Sequence, residues 1–440
     1  MANIFAQMLM RRPITFGPAK TYLGTGPSAA EMDARKILLV IFDGLGDRPL
    51  TELGHKTPLE ATPKPNLDWF ASNGVNGLVD PIAPGVAAGS DTSHLALFGY
   101  DPHEVYTGRG PFEAAGVGID LKPGDIAFRG NFASVDDEMK LIDRRAGRIR
   151  EGTDELAKAL DGLKLGRIKA TVRAGTEHRV AVVLRGRGLS PRVTDTDPHE
   201  IGESIEESEP LESAAKVTAK AVNAFTKQSY KILKSHPVNR ARVAKGEPPA
   251  NAVVLRGAGV FPEIVPITER FHLTAAGIAG VALIRGMFRT IGMDVIDVPG
   301  ATGGLDTDMI AKADAALEAL RSHDLVVLHV KAPDLCGHDG NASEKIRVIE
   351  RMDAMMGHLK AMLPTDAVVA LTADHSTPVA LKDHSGDPVP LTIFGEGVRV
   401  DEVLNFDERS MAHGALGRLR GTDVMKVLLN VSNRVEKYGA

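Results

Sequence analysis

The sequence predicts an α/β fold, with a mostly parallel sheet flanked by helices and an α+β domain inserted into it. Three observations predict it. Continuous apolar runs end in acidic loops at three separated places, and stretches of helical apolar spacing precede and separate the last two. A block of different texture, from about Lys122 to about Pro249, parts the first run from the others.

Taken in order, Met1 to Arg35 carries adjacent arginines and scattered Gly and Pro, with little apolar periodicity. It reads as a disordered extension or as the product of a start site placed too far upstream; a transit peptide is the alternative. Lys36-Ile-Leu-Leu-Val-Ile-Phe42 is then a strand buried on both faces, closing on Asp43-Gly. Gly89-Ser90-Asp-Thr-Ser precedes Leu95-Ala-Leu-Phe, which puts Ser90 at or just before a helix N-terminus. In the inserted block, Ile126 to Phe132 and Arg179 to Leu184 read as strands. The stretch between Gly202 and Lys234 is acidic at first and then helical, and Val238 to Ala250 reads as a Pro/Gly-bearing linker back to the core. Asp324 to Val330 repeats the buried-strand form and runs into Lys331-Ala-Pro-Asp334. Ala367 to Thr372 does so again and runs into Ala-Asp374-His375. Helices are expected over Asp306–Ser322, Glu344–Met362 and from Gly421 onward. The expected organisation is an extension over 1–35, a core built from 36–121 and 250–440, and an inserted lid over 122–249.

Composition excludes some classes. With 52 Lys and Arg against 57 Asp and Glu, the net charge of −5 and the mixing of signs give no basic face for nucleic acid. No apolar run approaches the ~20 residues that span a bilayer. A single cysteine, Cys336, allows no internal disulfide and fits a reducing cytoplasm. It reads as a small buried residue rather than a ligand. Oligomeric state is not legible.

The candidate chemistry lies just past the three buried strands, the edge at which open α/β sheets place ligands. Asp43, Asp334, His338, Asp374, His375 and His384 supply three carboxylates and three imidazoles. So many carboxylates in one pocket require cations. Asp334-x-x-x-His338 puts both side chains within reach of one cation, and the turn Ser-Gly-Asp-Pro after His384 can fold it back over the site. From local sequence alone Ser90 reads first as an N-cap. The other reading is a nucleophile, activated by a cation held by Asp43, Asp374 and His375. His94 reads as structural or outer-shell, Asp47 and Asp339 as turn or outer-shell residues, and His413 as packing.

Further motifs join these: Asp43-Gly-Leu-Gly-Asp47, Gly89-Ser-Asp-Thr-Ser-His-Leu-Ala96, Phe98-Gly-Tyr-Asp-Pro102, Thr107-Gly-Arg-Gly-Pro-Phe-Glu113, His329-Val-Lys-Ala-Pro-Asp334, Gly337-His-Asp-Gly340 and Thr372-Ala-Asp-His375. In combination, from about Lys36 to the C-terminus, the chain resembles the archaeal-type, 2,3-bisphosphoglycerate-independent phosphoglycerate mutases of the alkaline phosphatase superfamily. The resemblance implies an alkaline-phosphatase-like core and two divalent metal ions, manganese foremost, with zinc, cobalt or magnesium as alternatives. No 2,3-bisphosphoglycerate is required. One metal would be held by Asp334, His338 and His384, the other by Asp43, Asp374, His375 and the Ser90 oxygen. Ser90 would take the phosphoryl group of 3-phosphoglycerate, and glycerate would reorient under the lid before taking it back. Asp143, Arg144, Arg148, His178, Arg179, Arg256 and Lys331 are the candidates for binding the small anionic substrate. A metal-dependent phosphatase or another phosphomutase of the same superfamily is the alternative function. A metal- or phosphate-binding regulator without catalysis is a rival of another class, against which no ligand or nucleophile position is missing.

Overall fold

A computed structural model describes residues 34–435. The expected extension over 1–35 therefore lies, except for its last two residues, outside the described residues. Residues 34–435 belong to one compact unit built on two sheets.

The larger sheet has eight strands, in the order Asp294–Val295, Ala275–Ile278, Leu325–Val330, Ile37–Phe42, Val368–Thr372, Val389–Phe394, Val75–Asp80 and Gly417–Arg420. The first five are parallel; Val389–Phe394 runs against its neighbours on both sides. Every residue of Ile37–Phe42, Leu325–Val330 and Val368–Thr372 is buried, as their largely apolar runs predict. Burying each Leu, Ile or Val there contributes about 1.5–3 kcal/mol.

Register now decides the function of this edge. Ile41 pairs with both His329 and Thr372, and Phe42 with Val330, so the three strands end side by side. Asp43, the Lys331–Asp334 turn and the Asp374–His375 pair leave the sheet as neighbours. The expected helices are present. Met309–Ala319 is capped by Asp308 and Ala342–Met362 by Asn341, each through its side chain, and Gly421–Val431 closes the described chain.

The smaller sheet is antiparallel throughout. Its order is Leu141–Asp143, Ile126–Val135, Arg179–Arg185, Ile168–Ala174, Lys164–Leu165, with Ala252–Val260 also paired to Ile126–Val135. It has a hydrophobic core of its own, closed by the helix Lys216–Lys234. Two expectations need correction here. The strand Ala252–Val260 belongs to this sheet, so the sheet runs past the expected boundary at 249. And 237–244 is not a linker but the helix Pro237–Ala244, whose N-cap His236 accepts a hydrogen bond from Val238 N. Gly246, Pro248 and Pro249, which suggested a linker, lie after this helix, and Pro237 sits in its first turn, where its missing N–H costs nothing. Among the described residues no helix is long and apolar enough to cross a membrane.

Candidate active site

Ser90 is the first residue of the helix Ser90–Leu97, with Gly89 as N-cap. Its hydroxyl therefore does not cap the helix; Oγ stands 3.1 Å from His375 Nε2. The N-cap reading gives way to one in which the hydroxyl faces the acidic pocket, at the end of a helix whose free N–H groups favour an anion.

Two donor groups meet there. Asp43, Asp374 and His375 form one, and Asp334, His375 and His384 the other, with donor atoms in each group within 4.8 Å of one another. His375 Nε2 lies 3.5 Å from Asp43 Oδ1 and 3.3 Å from Asp374 Oδ2, and its ring stacks on His384 at 3.7 Å between centroids. His338 Nε2 and His384 Nε2 each lie 3.5 Å from Asp334 Oδ1.

The outer nitrogens fix how these rings are presented. His338 Nδ1–H donates to Lys382 O at 2.9 Å, and His384 Nδ1–H to Ala88 O at 2.7 Å. Thr377 Oγ1 donates to Asp334 Oδ1 at 2.7 Å, which leaves its lone pairs to accept from His375 Nδ1–H at 3.1 Å. All three imidazoles thus turn Nε2 toward carboxylate oxygens, an arrangement that is repulsive unless a proton or a metal cation lies between. Asp374 Oδ2, buried and without a hydrogen-bond partner, makes the same demand. The donor set fits two divalent cations.

Lys331 supplies the protein's own positive charge. Its ammonium lies 2.9 Å from Asp43 Oδ1 and 2.6 Å from Asp334 Oδ2, so it joins the two groups instead of standing with the arginines. Burial works to raise the Asp43 pKa, but Lys331 and a hydrogen bond from His329 outweigh it and hold it well below the carboxylate range. Burial likewise opposes the charge on Lys331, yet Asp43 and Asp334 push its pKa upward. Asp374 goes the other way, raised by burial and by the Asp43 charge.

Two histidines lie directly behind the site: His94, which the sequence reading gave as structural or outer-shell, and His329, to which it gave no role. His329 Nε2–H donates to Asp43 Oδ2 at 2.9 Å, and His94 Nδ1–H donates to Ser90 O at 2.6 Å while lying 3.4 Å from Asp374 Oδ2. His329 sits inside an apolar strand, and a polar residue in such a run was the available signal.

Gly44 holds the first ligand loop. Its φ is +65°, and a Cβ there would stand 2.6 Å from Asp334 Cβ and from Thr377 Oγ1. Gly44→Ala should therefore lower kcat by about 100-fold or more by displacing Asp334, measurable in steady-state assays beside circular dichroism.

Arginines gather on one face of the smaller sheet. Arg129 pairs in register with Arg256, and Asn131, two residues on and so on the same face, pairs with Arg179. Burial and the charges of Arg109 and Arg179 push Arg129 down to about 9. Glu113 stands 3.2 Å from Arg109 Nε and 3.8 Å from Arg129 Nε. Burial lowers His178 to about 4, aided by Arg179, Arg145, Arg129 and Arg148. Arg144 is held by Asp197 and reaches His199; Asp143 accepts from Arg145 N and Gly147 N and shapes its own turn. Arg109 and Arg129 are the members that the sequence reading missed. Tyr106 Oη donates to Asp91 Oδ2 at 2.6 Å, and Asp91 supports the Arg109 charge, so this cluster adjoins the helix that carries Ser90.

A hydroxyl at a helix N-terminus, two cation-demanding donor groups and an adjoining arginine cluster suit metal-assisted transfer of a phosphoryl group. The family model of 2,3-bisphosphoglycerate-independent phosphoglycerate mutase matches residues 71–239. The chain is 49% identical over 411 residues to 2,3-bisphosphoglycerate-independent phosphoglycerate mutase 1 of Methanothermobacter thermautotrophicus, covering 92% of this chain and 100% of that one. It is 50% identical over 415 residues to the enzyme of the same name from Sulfurisphaera tokodaii, covering 93% and 100%. A solved structure of cofactor-independent phosphoglycerate mutase from Thermoplasma acidophilum superposes with TM-score 0.68 at 40% identity, over 90% and 100% of the two chains. The chain belongs to the 2,3-bisphosphoglycerate-independent phosphoglycerate mutase family.

Proposed function

We propose that this enzyme interconverts 3-phosphoglycerate and 2-phosphoglycerate in the cytoplasm, through a phosphoserine at Ser90 and without 2,3-bisphosphoglycerate. The observation that carries the reading is the convergence of the Ser90 hydroxyl and both donor groups on His375. Asp43, Asp374 and His375 would hold one divalent cation, with Asp334, His338 and His384 holding the other; manganese suits this mixed carboxylate–imidazole set. When bound, the cations neutralise the phosphoryl oxygens and lower the serine pKa.

The chain's own residues do the rest. Ser90 Oγ forms a bond to phosphorus as the bond to the substrate oxygen breaks, and overall the serine proton ends on the departing hydroxyl of glycerate. The helix N-terminus that carries Ser90 faces the transferred group. The arginine cluster, with Arg129, Arg179 and Arg256 at its centre, holds the substrate carboxylate and retains glycerate while it reorients. The smaller sheet then acts as a lid, keeping water from the phosphoserine.

An enolase-linked assay with 3-phosphoglycerate and no 2,3-bisphosphoglycerate tests this on EDTA-stripped protein with and without Mn²⁺. Product should form only with metal. Release of free phosphate in place of 2-phosphoglycerate would move the function to a hydrolase.

A further inference from the structure

Lys345, near the start of the helix Ala342–Met362, is wholly buried. Its ammonium meets four oxygens: Gly44 O at 3.0 Å, Gly46 O at 3.3 Å, Thr377 O at 3.0 Å and Asp47 Oδ2 at 2.8 Å. Three of these acceptors are carbonyls, and none comes from the lysine's own helix. Gly44, Gly46 and Asp47 belong to the loop that follows Asp43. Thr377 follows the Asp374–His375 pair and itself donates to Asp334. One buried cation is thus bound by the loops that carry both donor groups.

Asp47 extends the tie. Its carboxylate accepts from Val379 N at 3.2 Å, and its own N–H donates to Glu408 Oε1 at 3.1 Å. Thr377 N also donates to Gly46 O at 3.0 Å, so the backbones of the two loops already touch. A buried ammonium is unfavourable unless its partners are fixed, and a methionine would fill the same volume without that demand. What the lysine adds is a requirement that Gly44, Gly46 and Thr377 carbonyls converge on one point. That convergence fixes the spacing of the loops that present Asp43, Asp374 and His375.

We infer that Lys345, paired with Asp47, is a positioning residue that sets the affinity of the site for its divalent cations from behind the ligands. The inference rests on the two-cation reading above and goes beyond it by naming residues that touch neither metal nor substrate.

The test is calorimetric titration of Mn²⁺ into EDTA-stripped full-length protein, for the parent, Lys345→Met and Asp47→Asn, with metal-free thermal midpoints measured alongside. Both variants should bind Mn²⁺ about 10-fold more weakly or worse. The double variant should lose less than the product of the two single losses, because both act through one contact. Asp47→Asn leaves Lys345 its three carbonyls, so it carries the test if Lys345→Met fails to fold. Parental affinity in the folded variants, with only the midpoint lowered, would reduce the pair to a stability element and overturn the inference. A parent that binds no Mn²⁺ would remove the two-cation reading and this inference together.

Discussion

Replacing Ser90 by alanine should lower mutase turnover by about 10⁴-fold or more, the scale on which loss of a nucleophile is felt. Folding should change little. The Ser90 hydroxyl is engaged with His375 Nε2, whereas the backbone contacts of this turn, from Ser93 Oγ and His94 Nδ1 to Ser90 O, are independent of the side chain. Alanine is well tolerated in a first helical turn, and removing one small buried hydroxyl costs only about 1 kcal/mol. Cation binding should weaken modestly, because the carboxylates and imidazoles stay in place. The enolase-linked assay reads the first effect, and mass spectrometry of protein quenched with 3-phosphoglycerate reads whether a phosphate adduct has disappeared. Undiminished turnover, or an adduct that persists in the variant, would end the assignment of Ser90 as nucleophile.

The three strands that deliver the candidate ligands were legible because their burial is complete on both faces. Such strands are apolar almost throughout, His329 and Thr372 being the exceptions, and the acidic residues after them mark the edge where the chain leaves the core. What was not legible depended on partners remote in sequence. Val389–Phe394 contains Pro390 and follows a turn rich in Gly, Asp and Pro, so its place between Val368–Thr372 and Val75–Asp80 shows only once those neighbours are built. The strand Ala252–Val260 looked like the start of the core because nothing local tells which of two sheets a strand will join.

The site divides in the same way. His384 lies beside Asp334 and His375, a position that the turn signal after it allows. Arg109 and Arg129 escaped because one lies in a glycine-rich motif and the other interrupts an apolar strand, so each reads as ordinary until the strand register sets Arg129 against Arg256. Lys345 is the extreme case. In Ser-Glu-Lys-Ile-Arg-Val it has the look of a solvated helix residue, yet tertiary packing buries it wholly beneath two ligand loops. Lys331 was expected among the substrate contacts, and its ammonium instead bridges Asp43 and Asp334. Charge in this enzyme is arranged in layers: candidate ligand carboxylates, lysines among and behind them, and arginines beside the helix that carries Ser90.

Burial and the Asp43 charge disfavour an ionised Asp374, and Asp374→Asn should remove that cost from the metal-free protein. The variant should lose activity about 1,000-fold or more, since it removes an anionic donor from one cation group. In EDTA, however, its thermal midpoint should lie a few degrees above that of the metal-free parent. Asp374 Oδ1 accepts from Gly44 N at 3.0 Å and His375 N at 2.9 Å, and an asparagine oxygen can keep both bonds. Oδ2 has no partner, and an amide NH₂ in its place would donate toward His375 Nε2, 3.3 Å away. The pH dependence follows from the sign of the shift. The folded pKa of Asp374 lies above its unfolded value near 3.8, so ionising it penalises the folded state. The variant's advantage should therefore be absent below that value and grow as pH rises through the raised pKa. Asp43 and Asp334, both held below their usual values, contribute stability that is lost only on acidification, and they are common to both proteins. Differential scanning calorimetry in EDTA and in Mn²⁺ across this range separates the contributions. A variant that melts below the metal-free parent at neutral pH would show that Asp374 is compensated without a cation. The raised midpoint would instead identify it as a carboxylate kept at a cost to stability for the metal it binds.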